Sequence, residues 1–171
     1  MLEERRWKMK RVMLVVVCVM LAGCEYTVPL VNTPGIDIDR SVVGLWQRSR
    51  TGGQTESLLV LPLNKHEYMV SYPAGSKDAM FARGCLWRGA DMTLVQLDWF
   101  GSAQAKLPNN NRTFQFVVYA VEGDRIRIRL LNADVVKKEI KSSDDLTKSI
   151  TANRYRPDLF KGDMVFTKVQ N

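Results

Sequence analysis

The chain has 171 residues, of which 25 are basic, 18 are acidic, one is histidine and three are cysteine. Its formal net charge is +7, but the first 23 positions hold five of the basic and two of the acidic residues, which leaves +4 on the rest. Those remaining charges are spread along the chain, as is typical of a solvated surface, so we expect no nucleic-acid partner. No pair of cysteine or histidine residues has the spacing of metal ligands, so we expect no metal site and no cofactor.

The N-terminus is laid out like a secretory signal. Basic residues from Arg5 to Arg11 precede an apolar run over 12–21, which is about half of the roughly 20 residues that a membrane-spanning helix needs. The run ends in Leu21-Ala22-Gly23-Cys24, which resembles the lipobox of bacterial lipoproteins. The resemblance implies a signal peptide over 1–23, cleavage before Cys24, and a lipid such as palmitate on that cysteine. The alternative is an ordinary signal peptide whose cysteine is accidental.

A lipid anchor would hold the mature chain on its membrane, since two or more acyl chains bind a bilayer firmly. Glu25 follows the cysteine, whereas in enterobacterial lipoproteins an aspartate there commonly marks retention at the inner membrane. The resemblance therefore implies a place in the bacterial cell envelope, at the outer membrane facing the periplasm. Pro29, Pro34 and Gly35 interrupt any periodicity, so 24–40 is predicted to be a flexible tether, and 41–171 is long enough for one domain.

From residue 41 onward the apolar residues recur mostly with a period of two, which is typical of β-strands. Short polar turns join most of these segments, so sequence neighbours should pair as hairpins. The predicted fold is all-β, an antiparallel up-and-down meander forming a closed or nearly closed barrel or, alternatively, an open curled sheet. Closure is favoured because it removes exposed edge strands. Eight strands are expected, at 42–48, 57–62, 67–72, 79–88, 92–100, 113–121, 125–131 and 164–169.

One helix is predicted before the last strand. Ser143, Asp144 and Asp145 suit a helix N-terminus, and Pro157 ends the helical pattern. A shorter helical turn is expected to begin at Asn132, whose side chain can cap it.

Alternation also predicts which strand faces point into the core. The core-facing positions are predicted to be Val95, Leu97 and Trp99 on one strand, Phe114, Phe116, Val118 and Ala120 on the next, and Ile126, Ile128 and Leu130 on the third. Arg125, Arg127 and Arg129 then share the opposite face and form a basic ladder. Cys85 lies in a predicted strand and has no partner once Cys18 and Cys24 are removed or acylated, so we expect it to be buried.

Gly44-Leu45-Trp46, at the start of the meander, resembles the Gly-x-Trp motif of lipocalins. In that family the tryptophan closes one end of the barrel and a late arginine packs across it, a role that the resemblance gives to Arg127 or Arg129. The lipocalin Thr-Asp-Tyr turn is absent, and the predicted helix precedes the eighth strand instead of following it. Segments such as Leu61-Pro62 and Tyr72-Pro73-Ala74 also resemble a group of uncharacterised bacterial envelope lipoproteins, which implies no particular activity.

The sequence offers few candidate catalytic residues. His66 is predicted to lie in a hairpin turn, and no serine has the context of a nucleophile elbow, so we expect no enzyme. Two classes of function are left. The barrel either binds a small hydrophobic ligand, with Trp46, Trp99, Phe114 and Phe116 as walls, or it has a solid core and docks on another envelope component. An apolar cavity of at least about 300 Å³ would favour the binding protein.

Overall fold

The computed structural model describes residues 26–104 and 113–170. Within them eight antiparallel strands form a closed barrel in which each strand pairs with its sequence neighbours and the first pairs with the last. The elements are β1 (Gly44–Ser49), β2 (Thr55–Pro62), β3 (Glu67–Tyr72), β4 (Met80–Gly89), β5 (Met92–Ser102), β6 (Phe114–Glu122), β7 (Arg125–Leu131), α1 (Ser143–Ala152) and β8 (Phe160–Lys168). The predicted signal peptide and Cys24 lie outside the described residues. No helix in the described ranges is long and apolar enough to cross a membrane.

The predicted all-β meander with one helix before the last strand is confirmed, and the barrel is closed. Closure comes from β1 and β8, where Trp46 pairs with Lys168 and Gln47 with Thr167. Tight turns join neighbouring strands into hairpins. Ala90 and Asp91, between β4 and β5, have φ values of 49° and 60°, the left-handed conformation that a two-residue hairpin turn requires.

The barrel carries two hydrophobic clusters. The inner cluster fills part of the barrel interior and includes Trp46, Leu58 and Trp99. The outer cluster lies between the barrel wall and α1, where Leu146 and Ile150 are fully buried. Ser142 caps α1, since its hydroxyl accepts a hydrogen bond of 3.1 Å from the Asp145 amide. The outer cluster therefore covers one outer side of the sheet.

The predicted core face of β6 is wrong by one residue. Val117 and Tyr119 face the barrel interior, whereas Phe114, Phe116 and Val118 belong to the outer cluster. Both faces of this strand are apolar because the outer one is covered too: the Phe116 ring packs against Tyr26 of the outer cluster, with ring centroids 5.2 Å apart. When both faces of a strand are covered, alternation no longer distinguishes inside from outside.

The prediction of a flexible tether over 24–40 is also wrong for its described part, because residues 26–39 pack against the barrel as a strap. Tyr26 is only 1% exposed, exchanges two backbone hydrogen bonds with Phe114, and donates its hydroxyl to the Val136 carbonyl at 2.7 Å. The buried amide of Gln96 binds the strap further along. Its Oε1 accepts from the amides of Leu30 and Val31, at 2.7 and 2.9 Å.

Candidate functional site

The interior of the barrel is not filled. It holds a cavity of about 440 Å³, within the range of roughly 300–1,000 Å³ that is usual for small-molecule sites. Its wall is mainly apolar and draws on all eight strands together with Val42, just before β1. The apolar lining residues are Val42, Leu58, Val60, Val70, Met80, Val95, Leu97, Trp99, Val117, Ile126, Ile128, Leu130, Met164 and Phe166.

One end of the barrel, which we call the cap end, is closed by a packed corner around Trp46. This side chain is fully buried, and its Nε1 donates to the Val42 carbonyl at 2.8 Å. Lys168 lies across the ring, with Nζ 5.1 Å from the ring centroid. Gly44 has a φ of 140°, and a Cβ at that position would lie 3.0 Å from Cε of Lys168. Glycine, tryptophan and lysine therefore pack as one unit.

The expectation that Arg127 or Arg129 packs across Trp46 is wrong. Both arginines are exposed on the outer face of β7, as the predicted basic ladder requires, and Arg127 forms an ion pair with Asp163. Lys168 takes the position because the β1–β8 pairing places it directly opposite Trp46. That pairing exists only once the barrel closes, so the sequence pattern of β7 could not reveal it.

A hydrogen-bonded network ties the strap to the cap end. The Tyr119 hydroxyl donates to Oδ2 of Asp39 at 2.9 Å, and the Asp39 amide donates to the Tyr68 hydroxyl at 2.6 Å. Burial acts to raise the pKa of Asp39, but the hydrogen bonds from Ser41 and Tyr119 outweigh it and hold that pKa below its usual value. Both tyrosines also line the cavity. Their hydroxyls form hydrogen bonds with Asp39 of the strap, and their rings form part of the cavity wall.

A charged cluster lies at the opposite end of β1, toward the β1–β2 turn; it consists of Arg48, Arg50, Glu56 and Tyr72. Arg48 Nε donates to Glu56 Oε2 at 2.8 Å, and Arg50 Nη1 donates to Glu56 Oε1 at 2.8 Å. The Tyr72 hydroxyl donates to Glu56 Oε2 at 2.6 Å and accepts from Arg48 Nη2 at 2.8 Å. One carboxylate thus organises two guanidinium groups and a phenol.

The electrostatics of the cluster follow from this geometry. Burial acts to raise the pKa of Glu56, but the hydrogen bond from Tyr72 and the two arginines lower it below its usual value. Burial, and then the hydrogen bond to Glu56, raise the pKa of Tyr72 to about 12. Glu56 is therefore ionised and Tyr72 neutral at physiological pH, and the cluster carries one net positive charge.

This charged cluster was not predicted, although the signal was present. Arg48 lies two residues after Trp46 in β1, and Glu56 lies two residues before Leu58 in β2, so alternation places both on the core face. Charged side chains are normally exposed, however, and only pairing lets them lie inside a barrel. The partners come together because Arg48 and Glu56 are opposite each other in the β1–β2 register.

The structure brings one of the four predicted ligand-binding residues to the cavity. Trp99 lines it, and its Nε1 donates to Gln115 Oε1 at 3.3 Å. Trp46 packs in the inner cluster at the cap end but is not among the lining residues. Phe114 and Phe116 lie in the outer cluster, on the other side of the barrel wall. Tyr72, Tyr119 and Phe166 supply aromatic wall in their place.

Cys85 and His66 are not among the described residues that line the cavity. Cys85 is buried in β4, as predicted, and burial raises the pKa of its thiol to about 11, with the Glu67 and Asp98 charges adding to the effect. His66 is partly exposed in the β2–β3 turn, with Nδ1 3.3 Å from Asp37 Oδ1. In the two described ranges, no three His, Cys, Asp or Glu side chains come together to hold a metal ion.

Comparison with protein-family models, with curated proteins and with solved structures finds no match to this chain. The cavity and the groups around it are therefore the evidence for the function of this chain.

Proposed function

We propose that this chain is a lipid-anchored protein of the bacterial cell envelope, with no enzymatic activity, whose barrel binds a small hydrophobic ligand in its interior. The observation that carries the binding role is the cavity of about 440 Å³ with its mainly apolar wall. A solid core would have favoured the alternative role, in which the barrel only docks on another envelope component. Burial of an apolar ligand is worth about 25 cal/mol for each Å² of apolar surface that leaves water, so such a wall favours binding.

Ligand binding is tested by filling the cavity. Val117 lines it and is buried, so Val117→Phe places a phenyl ring in the space that a ligand needs. Val165→Phe is the matched control, because Val165 is 37% exposed on the outer face of β8. Native mass spectrometry of the full chain counts bound 1-dodecanol, a neutral probe. We expect one molecule bound to the wild type and to the control, and at least about tenfold weaker binding to Val117→Phe. Equal binding of dodecanol to all three proteins would refute the role, and so would absence of saturable binding of dodecanol and of its anionic and cationic 12-carbon analogues to the wild type.

The anchoring part of the proposal rests on the lipobox resemblance. With Cys24 acylated, only Glu25 separates the lipid from Tyr26, which packs on the barrel. Two residues span at most about 7 Å, so the barrel would sit directly on the bilayer surface and not on a long tether.

The anchor is tested by substitution of the cysteine. Cys24→Ala should abolish incorporation of a palmitate analogue and leave an uncleaved or a soluble species without lipid label. Cys85→Ala is the control and should keep the label, since the Cys85 thiol is buried in the barrel wall. Normal labelling of the Cys24→Ala protein would show that the lipobox reading is wrong.

A further inference from the structure

The polar groups of the cavity wall carry positive charge. The described residues that line the cavity include two cations, Arg48 and Lys161, and no aspartate or glutamate. Nζ of Lys161 lies 3.7 Å from Oδ2 of Asp134, which is exposed and is not among the lining residues. Arg48 belongs to the charged cluster, in which two guanidinium groups share one carboxylate. A ligand in this cavity therefore meets an excess of positive charge in a mainly apolar surrounding.

Arg48 has capacity left for an anion. A guanidinium carries five N–H donors, and those on Nε and Nη2 are used by Glu56 and Tyr72. Nη1 has no hydrogen-bond partner among the described residues. The group is also fixed in place, since its Cζ stacks 4.9 Å from the centroid of the Phe166 ring. A fixed guanidinium with free donors is the usual receptor for a carboxylate or a phosphate.

The cavity volume limits the apolar part of the ligand. At about 30 Å³ for each water-sized group in a liquid, a cavity of about 440 Å³ holds roughly 15 non-hydrogen groups. One acyl chain of about 12 carbons with its head group fits this number.

We propose that the ligand is a single-chain amphiphile with one anionic head group, which binds Arg48 while its apolar tail occupies the cavity. This inference rests on the proposed binding function and specifies its ligand class. Glu56 and Tyr72 are positioning residues, since they hold the guanidinium and leave Nη1 for the ligand. A carboxylate and a phosphate share the required chemistry, and the probes below separate them.

The test compares four 12-carbon probes on the full chain by native mass spectrometry: laurate, dodecyl phosphate, 1-dodecanol and dodecyltrimethylammonium. We expect the anion that matches the natural head group to bind at least about tenfold more tightly than dodecanol, as a charge-assisted hydrogen bond allows. The cationic probe should bind more weakly than dodecanol. The tighter of the two anions identifies the head group. Equal binding of dodecanol and both anions would overturn the inference while leaving the binding function intact, whereas failure of all four probes would overturn the binding function itself.

Two variants assign the effect to Arg48. Arg48→Gln should weaken binding of the preferred anion about tenfold and change dodecanol binding by no more than about twofold. Arg127→Gln is the matched control, because Arg127 is exposed on the outer face. Equal weakening of anion and alcohol by Arg48→Gln would mean that the substitution damages the cavity in general, and would overturn the role given to Arg48. Should that variant fail to fold, the comparison of the four probes on the wild type still decides.

Discussion

Gln96 offers the sharpest test of the strap. It lies on the outer face of β5 and is 5% exposed. Its Oε1 accepts from the amides of Leu30 and Val31, and its Nε2 donates to the Val31 carbonyl at 3.0 Å. Gln96→Leu keeps nearly the same volume and removes all three hydrogen bonds. We expect the strap to open locally while the barrel stays folded, because the inner cluster does not include Gln96.

The expected loss of stability follows from the number of hydrogen bonds that the Gln96 side chain makes. Each hydrogen bond contributes about 0.5–1.5 kcal/mol net, so the three that Gln96 makes contribute roughly 3 kcal/mol. Because about 1.4 kcal/mol corresponds to a factor of ten, amide exchange in the strap should accelerate by about two orders of magnitude. If the whole loss reached the global transition instead, the melting temperature would fall by about 6–12 °C, at roughly 2–4 °C for each kcal/mol.

Hydrogen–deuterium exchange read by mass spectrometry measures this directly. Peptides covering residues 26–38 should exchange faster in Gln96→Leu, while peptides from β7 and β8 should be unchanged. Gln47→Leu is the matched control, because Gln47 is exposed on β1 and bonds only the Ser57 hydroxyl through its side chain. Unchanged exchange of the strap peptides in Gln96→Leu, or the same acceleration in Gln47→Leu, would refute the reasoning.

Three further predictions concern the barrel. Ile126→Asp should unfold the domain because it puts an unpaired charge at a position that is 2% exposed, whereas Arg127→Ser on the outer face should cost less than about 1 kcal/mol; equal melting temperatures would mean that the faces are reversed. Glu56 has a lowered pKa, so its contribution to stability is complete above pH about 4.5 and is lost as the pH falls through that lowered pKa. Glu56→Gln should therefore reduce the loss of stability at acid pH, and an unchanged acid dependence would contradict this. The buried Cys85 thiol should react with a disulfide reagent only after unfolding, so rapid labelling of the native protein with Cys18 and Cys24 both replaced by alanine would contradict its burial.

Much of the fold follows from local signals in the sequence. The period of two and the short turns predict the eight-strand meander, and two strands, Glu67–Tyr72 and Arg125–Leu131, have the predicted bounds. Inner positions were predicted correctly on β5 and β7, which include Trp99 and Ile126. On β7 the outer face is exposed, so polar and apolar residues separate cleanly.

Other features depend on contacts between distant parts of the chain. The composition of 26–39 resembles that of a linker. In the folded chain, however, the Gln96 side chain accepts from the Leu30 amide, and the Val136 carbonyl accepts from the Tyr26 hydroxyl. Phe116 points outward because the outer cluster, which includes Tyr26, supplies a second apolar layer there. Nothing local to either segment indicates its partner.

The strand order, the turns and most of the buried positions can be predicted from the sequence, because they depend on alternation and on residues adjacent along the chain. What the barrel encloses depends on contacts between strands that are distant in the chain. Closure of β1 on β8 places Lys168 over Trp46, and the β1–β2 register brings Arg48 to Glu56. The cavity of about 440 Å³ exists because the closed wall is wider than its inward side chains can fill. Its volume depends on the curvature of the whole sheet, a property that no single segment of the sequence carries.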